Sequence, residues 1–208
     1  MFNEKDKKLL HRFLKTRRTI RKFLDRPVPK ETIAKIIETA TWAPSAHNAQ
    51  PWRFLVINDE KSRELAEAMA MEWEKDLVQN GMLPEERETL IRESIRKFTQ
   101  PPVIIIAFLT MDEMHKYPDK KRREAEYIMA VQSVAAAIQN LLLAAYFEGL
   151  GACWYCAPLF CPETVKKVLG VPKNFEPQAL ITVGYPSEKP EPPPRKPLEA
   201  IMRVNRWE

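Results

Sequence analysis

Hydrophobic residues recur along the chain at two spacings, one typical of helices and one typical of buried strands. Helical spacing covers six segments, which are Lys5–Thr16, Pro29–Ala40, Lys61–Gln79, Glu85–Phe98, Glu124–Phe147 and Cys161–Gly170. Short runs of β-branched and aromatic residues predict four strands, at Arg53–Ile57, Val103–Leu109, Ala152–Cys156 and Ala179–Tyr185. Because helical hairpins separate the strands without a regular strand–helix alternation, we expect an α+β fold.

The segment Glu124–Phe147 differs from the other predicted helices because it is apolar on nearly all sides. A helix of this kind is buried on several sides. In a chain of 208 residues, an interface between subunits is a natural place for it. The basic segment before it, Asp112–Arg123, is expected to be either a solvated loop or a lid over a substrate site.

Length and composition predict one domain over residues 1–208, with a proline-rich C-terminal arm at about residues 187–208. No run of eighteen apolar residues is present, so the sequence predicts no membrane span. The charged N-terminus does not resemble a secretory signal, and three cysteines do not predict a disulfide framework, so we expect a cytoplasmic protein. A net charge of +5 favours anionic ligands weakly and does not by itself indicate nucleic-acid binding.

A cluster of arginines follows the first predicted helix. Arg17, Arg18 and Arg21 can approach one anion if the chain turns there, and Thr19 adds a hydroxyl. The planar guanidinium group matches a phosphate monoester bidentately, so the cluster is a candidate phosphate site. Two alternatives remain: solvated cations at the C-terminal end of a helix, or a basic arm for nucleic acid or acidic lipid.

The loop Pro44–Pro51 lies between two tryptophans and carries several hydrogen-bonding side chains. Ser45, Asn48 and Gln50 could satisfy the polar edge of a planar anionic ligand such as flavin mononucleotide (FMN). The alternative is an ordinary loop that satisfies its own backbone. His47 in the same loop is either a proton donor or a hydrogen-bonding surface residue.

The three cysteines follow the pattern Cys153–x2–Cys156–x4–Cys161. Thiolates at such spacing can bind zinc or an iron–sulfur cluster, but both usually need four ligands. We therefore expect buried structural cysteines and no metal.

Six segments together resemble the FMN-dependent nitroreductase family, and the resemblance covers most of the chain. They occur in the order of that family, as Arg17–Phe23, Ala43–Phe54, Gln139–Ala145, Gly149–Trp154, Gly184–Pro186 and Arg195–Leu198. The resemblance implies a nitroreductase-like fold, with a central, mostly antiparallel sheet flanked by helices. It also implies an intertwined homodimer with two FMN sites at the interface.

The resemblance also implies roles for individual residues. Arg21 corresponds to the cation beside the pyrimidine edge of the flavin, where it would stabilise the negative charge that reduction leaves, and we assign no side-chain acid or base. Arg195 corresponds to a late basic residue that returns to the phosphate, in an arm stiff enough to reach across the dimer. The implied cofactor-binding residues are Arg17, Arg18, Thr19, Arg21, Pro44, Ser45, Ala46, Asn48, Gln50, Cys156, Ala157, Pro158, Leu159 and Arg195.

One position departs from the family. Pro158 stands in the segment that corresponds to the loop near the hydride-accepting nitrogen of the flavin, where a backbone N–H usually binds. Proline has no such donor, so a neighbouring residue would have to supply it.

The implied function is that of an oxidoreductase that passes electrons from NADH or NADPH through FMN to a nitroaromatic, a quinone or a similar small acceptor. Three alternatives stay open: a specialised flavin enzyme of the superfamily (a reductive dehalogenase, a flavin-cleaving enzyme or a deazaflavin-linked enzyme), a flavin-binding module without turnover, and a basic nucleic-acid binder. The sequence does not fix the acceptor or the choice between NADH and NADPH.

Overall fold

The computed structural model describes residues 3–57 and 59–207, and the helices and strands in it match the hydrophobic spacing closely. The helices are α1 (Glu4–Thr16), α2 (Lys30–Ala40), α3 (Asp59–Gln79), α4 (Pro84–Thr99), α5 (Lys120–Phe147) and α6 (Pro162–Leu169). The strands are β1 (Trp52–Ile57), β2 (Val103–Leu109), β3 (Gly151–Tyr155) and β4 (Glu176–Gly184). Short 3₁₀ turns lie at Ala46–Asn48, Ala157–Phe160 and Leu198–Ala200.

The four strands form one sheet in the order β1-β2-β4-β3, and every neighbouring pair is antiparallel. This confirms the expected α+β fold with a central antiparallel sheet. Strands β1 and β3 are the two edges, and β2 and β4 lie between them. All seven residues of β2 are buried, which explains why that strand is a continuous apolar run rather than an alternating one.

Helices cover both faces of the sheet, and alternate residues of each strand contact opposite layers. On one face, Ile105 and Ala107 of β2 belong to a core formed with α2 and α5. On the other face, Ile104 and Ile106 belong to a second core formed with α3, α4 and α6. The period-two side-chain direction of a strand therefore divides one apolar run between two hydrophobic cores.

The long helix begins at Lys120, four residues before the predicted start at Glu124, so the predicted loop Asp112–Arg123 is wrong at its end. Asp119 caps the helix, because its side-chain oxygen accepts the backbone N–H of Arg122 at 3.0 Å. The remaining loop is anchored to the body of the protein: Met114 is buried in the core, and Asn174 donates a hydrogen bond of 2.6 Å to Asp112.

Helix α5 is long and apolar enough to cross a membrane by length and composition, and half of its most apolar stretch is buried inside the chain. Its buried residues include Ala130, Val134, Ile138 and Leu141, and they pack against the sheet and α2. The helix is therefore a core helix of this fold, with one side left outside the hydrophobic core.

Strand β3 ends at Tyr155, one residue before the predicted end at Cys156. A 3₁₀ turn follows immediately, and Pro158 lies in its first turn, where a fixed φ is compatible with helical geometry. Cys156 therefore lies in a turn, although the spacing of the strand predicts it as the last strand residue.

Candidate functional site

The arginine segment is bound to the edge of the sheet at the beginning of β3. The backbone N–H of Ile20 donates to the carbonyl oxygen of Ala152 at 3.0 Å, and Thr19 pairs with Ala152 in the parallel sense. This approach depends on Gly151, since a Cβ atom there would lie 2.6 Å from Cβ of Ile20. A glycine at the first position of β3 thus lets the segment lie directly against the strand.

Arg17 and Arg18 lie at this edge, and Arg195 of the C-terminal arm is near enough for its charge to act on Arg17. Burial and the neighbouring charges of Arg18 and Arg195 lower the pKa of Arg17. Within residues 3–57 and 59–207, no carboxylate forms an ion pair with any of the three. Like charges brought together without a counterion repel one another, so this cluster is suited to binding an anion with more than one charge.

Arg21 is positioned by a residue that sequence reasoning missed. Its backbone N–H donates to Oε1 of Glu188 at 2.6 Å, and the backbone N–H of Lys22 donates to the same oxygen at 3.1 Å. Burial raises the pKa of the Tyr155 phenol. The guanidinium group of Arg21 lies close enough to that phenol to lower its pKa in part. No local signal marks Glu188, because the bond joins residues 167 positions apart.

The loop before β1 has an unusual backbone. His47, Asn48 and Gln50 have positive φ angles of 56°, 53° and 47°, a region that non-glycine residues seldom adopt. Two contacts hold this conformation: Oγ of Ser45 accepts the backbone N–H of Gln50 at 3.1 Å, and the backbone N–H of Ala46 donates to Ser133 of α5 at 3.3 Å. Backbone strain of this kind is characteristic of binding loops that the surrounding structure holds in place.

The arginine segment and this loop lie at opposite corners of the sheet. The loop leads into Trp52 of β1. Trp52 pairs with Leu109 of β2, and Leu109 pairs with Glu176 of β4, so the loop lies at this end of the sheet. The arginine segment contacts the beginning of β3, where Gly151 pairs with Gly184 at the other end. The edge strands are three strand spacings apart, or roughly 14 Å. Within one chain, the structure therefore does not bring Pro44, Ser45, Ala46, Asn48 and Gln50 to the arginine cluster.

The segment after β3 borders a cavity of about 500 Å³ between the α3–α4 hairpin and the 3₁₀ turn. Cys156 and Ala157 line it, together with Tyr155 and side chains of α3 and α4 that include Trp73 and Lys97. Pro158 is buried, and the backbone N–H of Leu159 is already bound to the carbonyl of Cys156 at 3.0 Å. Of the predicted residues Cys156, Ala157, Pro158 and Leu159, the first two line the cavity, and Phe160 and Cys161 line it as well.

The three cysteines are free thiols in three different environments, so the expectation of buried cysteines is confirmed for Cys153 and wrong for Cys156. Cys153 is buried, Cys156 is exposed and Cys161 is half-buried. Burial raises the pKa of the Cys161 thiol to about 11, with smaller contributions from the charges of Glu72 and Asp76. Among the residues that the structure describes, no group of three metal-ligand side chains includes a cysteine.

A second polar cluster consists of His47, His115 and Glu126, and of these only His47 was considered from the sequence. His47 Nε2 lies 3.2 Å from Oε1 of Glu126, and the imidazoles of His47 and His115 stack with their centroids 3.7 Å apart. A signal for it is present in the sequence: Glu126 lies on the stripe of α5 that continues through Ala130 and Val134 at a spacing of four. A carboxylate on the buried stripe of a helix requires a partner.

The protein has a three-layer α+β fold with an arginine cluster at a sheet edge. Arg18 of this cluster donates to the backbone carbonyls of Lys15 and Arg17 at 2.8 Å, and no carboxylate among the described residues pairs with the cluster. Comparison with known proteins identifies the family. The Nitroreductase family model matches residues 14–185. The chain belongs to the nitroreductase family, and so to a family of oxidoreductases.

The chain is 31% identical over 204 residues to the iodotyrosine deiodinase of Thermotoga neapolitana, covering 95% of this chain and 98% of that protein. It is 33% identical over 181 residues to a Methanothermobacter thermautotrophicus protein assigned as an NADH dehydrogenase/NAD(P)H nitroreductase, covering 85% of this chain and 77% of that protein.

Solved structures have the same fold over nearly the whole chain. A BluB-like flavoprotein from Clostridium difficile 630 has a TM-score of 0.78 at 25% identity, over 95% of this chain and 99% of that one. A protein from Desulfovibrio desulfuricans assigned as a nitroreductase, solved in complex with FMN, has a TM-score of 0.73 at 25% identity, over all of both chains. These similarities confirm the family that the six sequence segments indicate.

Proposed function

We propose that this protein is an FMN-dependent oxidoreductase that takes electrons from NADH or NADPH and passes them to a small organic acceptor. The observation that carries the proposal is the cluster of Arg17, Arg18 and Arg195, which has no carboxylate partner among the described residues. A phosphate monoester carries nearly two negative charges and several acceptor oxygens, so it would both neutralise and bridge these groups. Thr19, beside them on the edge of β3, would add a hydroxyl donor.

Bound FMN would supply the redox chemistry, and the protein would supply position and charge. Arg21 is the candidate for stabilising negative charge on the pyrimidine edge of the flavin, because Glu188 holds its backbone and its guanidinium group lies beside Tyr155. Pro158 has no N–H and that of Leu159 is used, so Cys156 or Ala157 is the better candidate for a backbone donor to the flavin.

We propose that the active form is a homodimer in which one subunit contributes the arginine cluster and its partner contributes Pro44, Ser45, Ala46, Asn48 and Gln50. The separation of these two groups at opposite corners of one sheet supports this arrangement. Large apolar side chains that the single chain leaves uncovered also support it, since soluble chains seldom expose extended apolar patches. They are Leu9, Leu10 and Leu14 on α1, Trp42 after α2, Phe147 at the end of α5, and Leu198, Ile201, Val204 and Trp207 on the C-terminal arm.

The cavity beside Cys156 is the candidate site for the electron acceptor. Trp73, Phe98 and Tyr155 give it aromatic walls, and Lys97 adds a positive charge. This lining favours a planar ring system whose substituents present acceptor oxygens to the lysine, such as a nitroaromatic or a quinone.

A second candidate is reductive dehalogenation of a halogenated phenol. Its support is the 31% identity to an iodotyrosine deiodinase over nearly the full length of both chains. The aromatic cavity with its lysine is compatible with a phenolate as well.

Cofactor binding tests the main proposal. The purified protein should show flavin absorbance, or should bind added FMN with quenching of its fluorescence. Each of the variants Arg17→Ala and Arg195→Ala should weaken FMN binding roughly 10- to 100-fold, because each removes charge-assisted hydrogen bonds to the phosphate. Arg92→Ala, an exposed arginine on α4, is the matched control and should bind FMN like the parent protein. Absence of FMN binding by the parent protein would refute the proposal.

Turnover separates the two candidate reactions. Anaerobic bleaching of the flavin by NADH or NADPH measures the first half-reaction, and reoxidation by a nitroaromatic, a quinone or an iodophenol measures the second. Arg21→Ala should keep some FMN but reduce it more slowly. Release of iodide from the iodophenol at a rate above that of nitroaromatic reduction would favour dehalogenation.

A further inference from the structure

A carboxylate lies nearly fully buried beneath the Pro44–Pro51 loop without a permanent cation beside it. Glu126 of α5 is only 3% exposed. Its hydrogen-bond partners in the described chain are the imidazole of His47, at 3.2 Å from Oε1, and the backbone N–H of His115, at 3.2 Å from Oε2. A buried charge is costly unless a counter-charge compensates it, and no lysine or arginine in the described part of the chain forms an ion pair with Glu126.

The neighbouring side chains provide the ligands of a metal site. One ligand atom from each of His47, His115 and Glu126 lies within 4.8 Å of the other two. Two imidazoles and one carboxylate form a donor set that suits zinc and other first-row divalent ions, with one position left for water. Tetrahedral ligands at about 2.1 Å from zinc are about 3.4 Å apart, so closure requires a shift of roughly 1 Å.

The backbone is already arranged to present these ligands. His47 has a positive φ of 56°, and this strained conformation brings its imidazole to Glu126. The His115 imidazole is exposed and stacks on that of His47, so a rotation that gives up this stacking would turn it toward a metal, while the backbone of the same residue stays bound to Glu126. The segment that carries it is anchored by the buried Met114, which limits the entropy lost when a metal binds.

We propose that His47, His115 and Glu126 form a binding site for a divalent first-row metal ion of the zinc type, and none of these three side chains is a proposed flavin ligand. The bound ion would neutralise the buried carboxylate and join three elements, which are the Pro44–Pro51 loop, the segment before α5, and α5 itself. Its role is structural, because it would hold the loop in its strained conformation. The proposal does not depend on the proposed flavin chemistry, since it rests on a different set of side chains.

Calorimetric titration with Zn²⁺ tests the site directly. The purified protein, with whatever flavin it carries, is treated with a chelator, desalted and titrated with Zn²⁺ and separately with Mg²⁺. We expect one equivalent of Zn²⁺ per chain and no binding of Mg²⁺, which prefers oxygen ligands. Elemental analysis after desalting should give the same stoichiometry.

Two variants separate loss of the ligand set from loss of the fold. His115→Ala removes an exposed imidazole that stacks on His47, and it should weaken Zn²⁺ binding by at least about tenfold while circular dichroism stays unchanged. Glu126→Gln keeps the shape of the buried side chain and should weaken Zn²⁺ binding to a similar or greater extent. His11→Ala, on the exposed face of α1, and Cys156→Ser are controls that should bind Zn²⁺ like the parent protein.

Two results would overturn the proposal. One is the absence of Zn²⁺ binding by the folded parent protein. The other is unchanged Zn²⁺ affinity in His115→Ala, which would assign any binding to other ligands.

Discussion

Substitution of Gly151 by alanine should destabilise the protein and displace the arginine segment. The added methyl carbon would lie 2.6 Å from Cβ of Ile20 and 2.7 Å from Cγ1 and Cγ2 of the same residue. Carbon atoms pack at about 3.5–4.0 Å, so the segment around Ile20 must move away by roughly 1 Å. A Cβ atom lies next to the backbone, so rotation of the Ile20 side chain cannot relieve the contact.

The cost follows from two contributions. Overpacking of a core position costs about 1–3 kcal/mol. A shift of roughly 1 Å also breaks the hydrogen bond of 3.0 Å from the backbone N–H of Ile20 to Ala152, which contributes about 1 kcal/mol. We therefore expect Gly151→Ala to lower the free energy of unfolding by about 2–4 kcal/mol, measured by urea denaturation. FMN affinity should fall as well, because Arg17 and Thr19 would move with the segment.

Gly149→Ala is a suitable comparison, because it lies two residues earlier and its added methyl group would meet open space. Its positive φ of 75° makes alanine strained by about 1–2 kcal/mol without displacing the arginine segment. We expect this variant to lose some stability and to keep its FMN affinity. The reasoning is refuted if Gly151→Ala unfolds within about 0.5 kcal/mol of the parent protein, or if both variants lose FMN affinity equally.

Three further predictions concern other parts of the chain. Asp119→Ala should lower the free energy of unfolding by about 1 kcal/mol, because it removes the N-cap of α5, and an unchanged denaturation midpoint would contradict this role. Burial raises the pKa of Cys161 to about 11, so its thiol stays protonated at pH 8. Its rate of alkylation, followed by mass spectrometry, should therefore increase as the pH rises toward 11. Equal alkylation rates in the folded and the urea-unfolded chain at pH 8 would contradict this. Phe147→Glu places a charge on an exposed apolar surface, so it should convert the proposed dimer to a monomer in light scattering, and a dimer of unchanged stability would exclude Phe147 from the interface.

Local pattern predicted most of the secondary structure correctly, and the errors have local causes. Helix α5 begins four residues before its predicted start because Asp119 caps it, although the run of basic residues after Asp119 is typical of a solvated loop. Strand β3 ends one residue early because a 3₁₀ turn containing Pro158 begins there. In both cases a single side chain, rather than hydrophobic spacing, fixes the end of an element.

The candidate site was predictable only in part. The family resemblance assigns Arg17, Arg18 and Arg195 to one anion site, and this stays a prediction. In the structure, the charges of Arg18 and Arg195 act on Arg17. Glu188 carried no signal, because its bond to the backbone of Arg21 exists only when residues 167 positions apart are packed together.

The sequence by itself determined the family, the α+β class and the positions of the helices and strands, because hydrophobic spacing and short motifs are local properties of a chain. Only the tertiary structure decided that the arginine segment and the Pro44–Pro51 loop lie at opposite corners of one sheet, since strand order and register depend on contacts between distant segments. It also decided that Glu126 lies beneath His47, 79 residues away in the chain. Burial of a charge and the meeting of distant ligands depend on how the layers pack, and no local pattern records that packing.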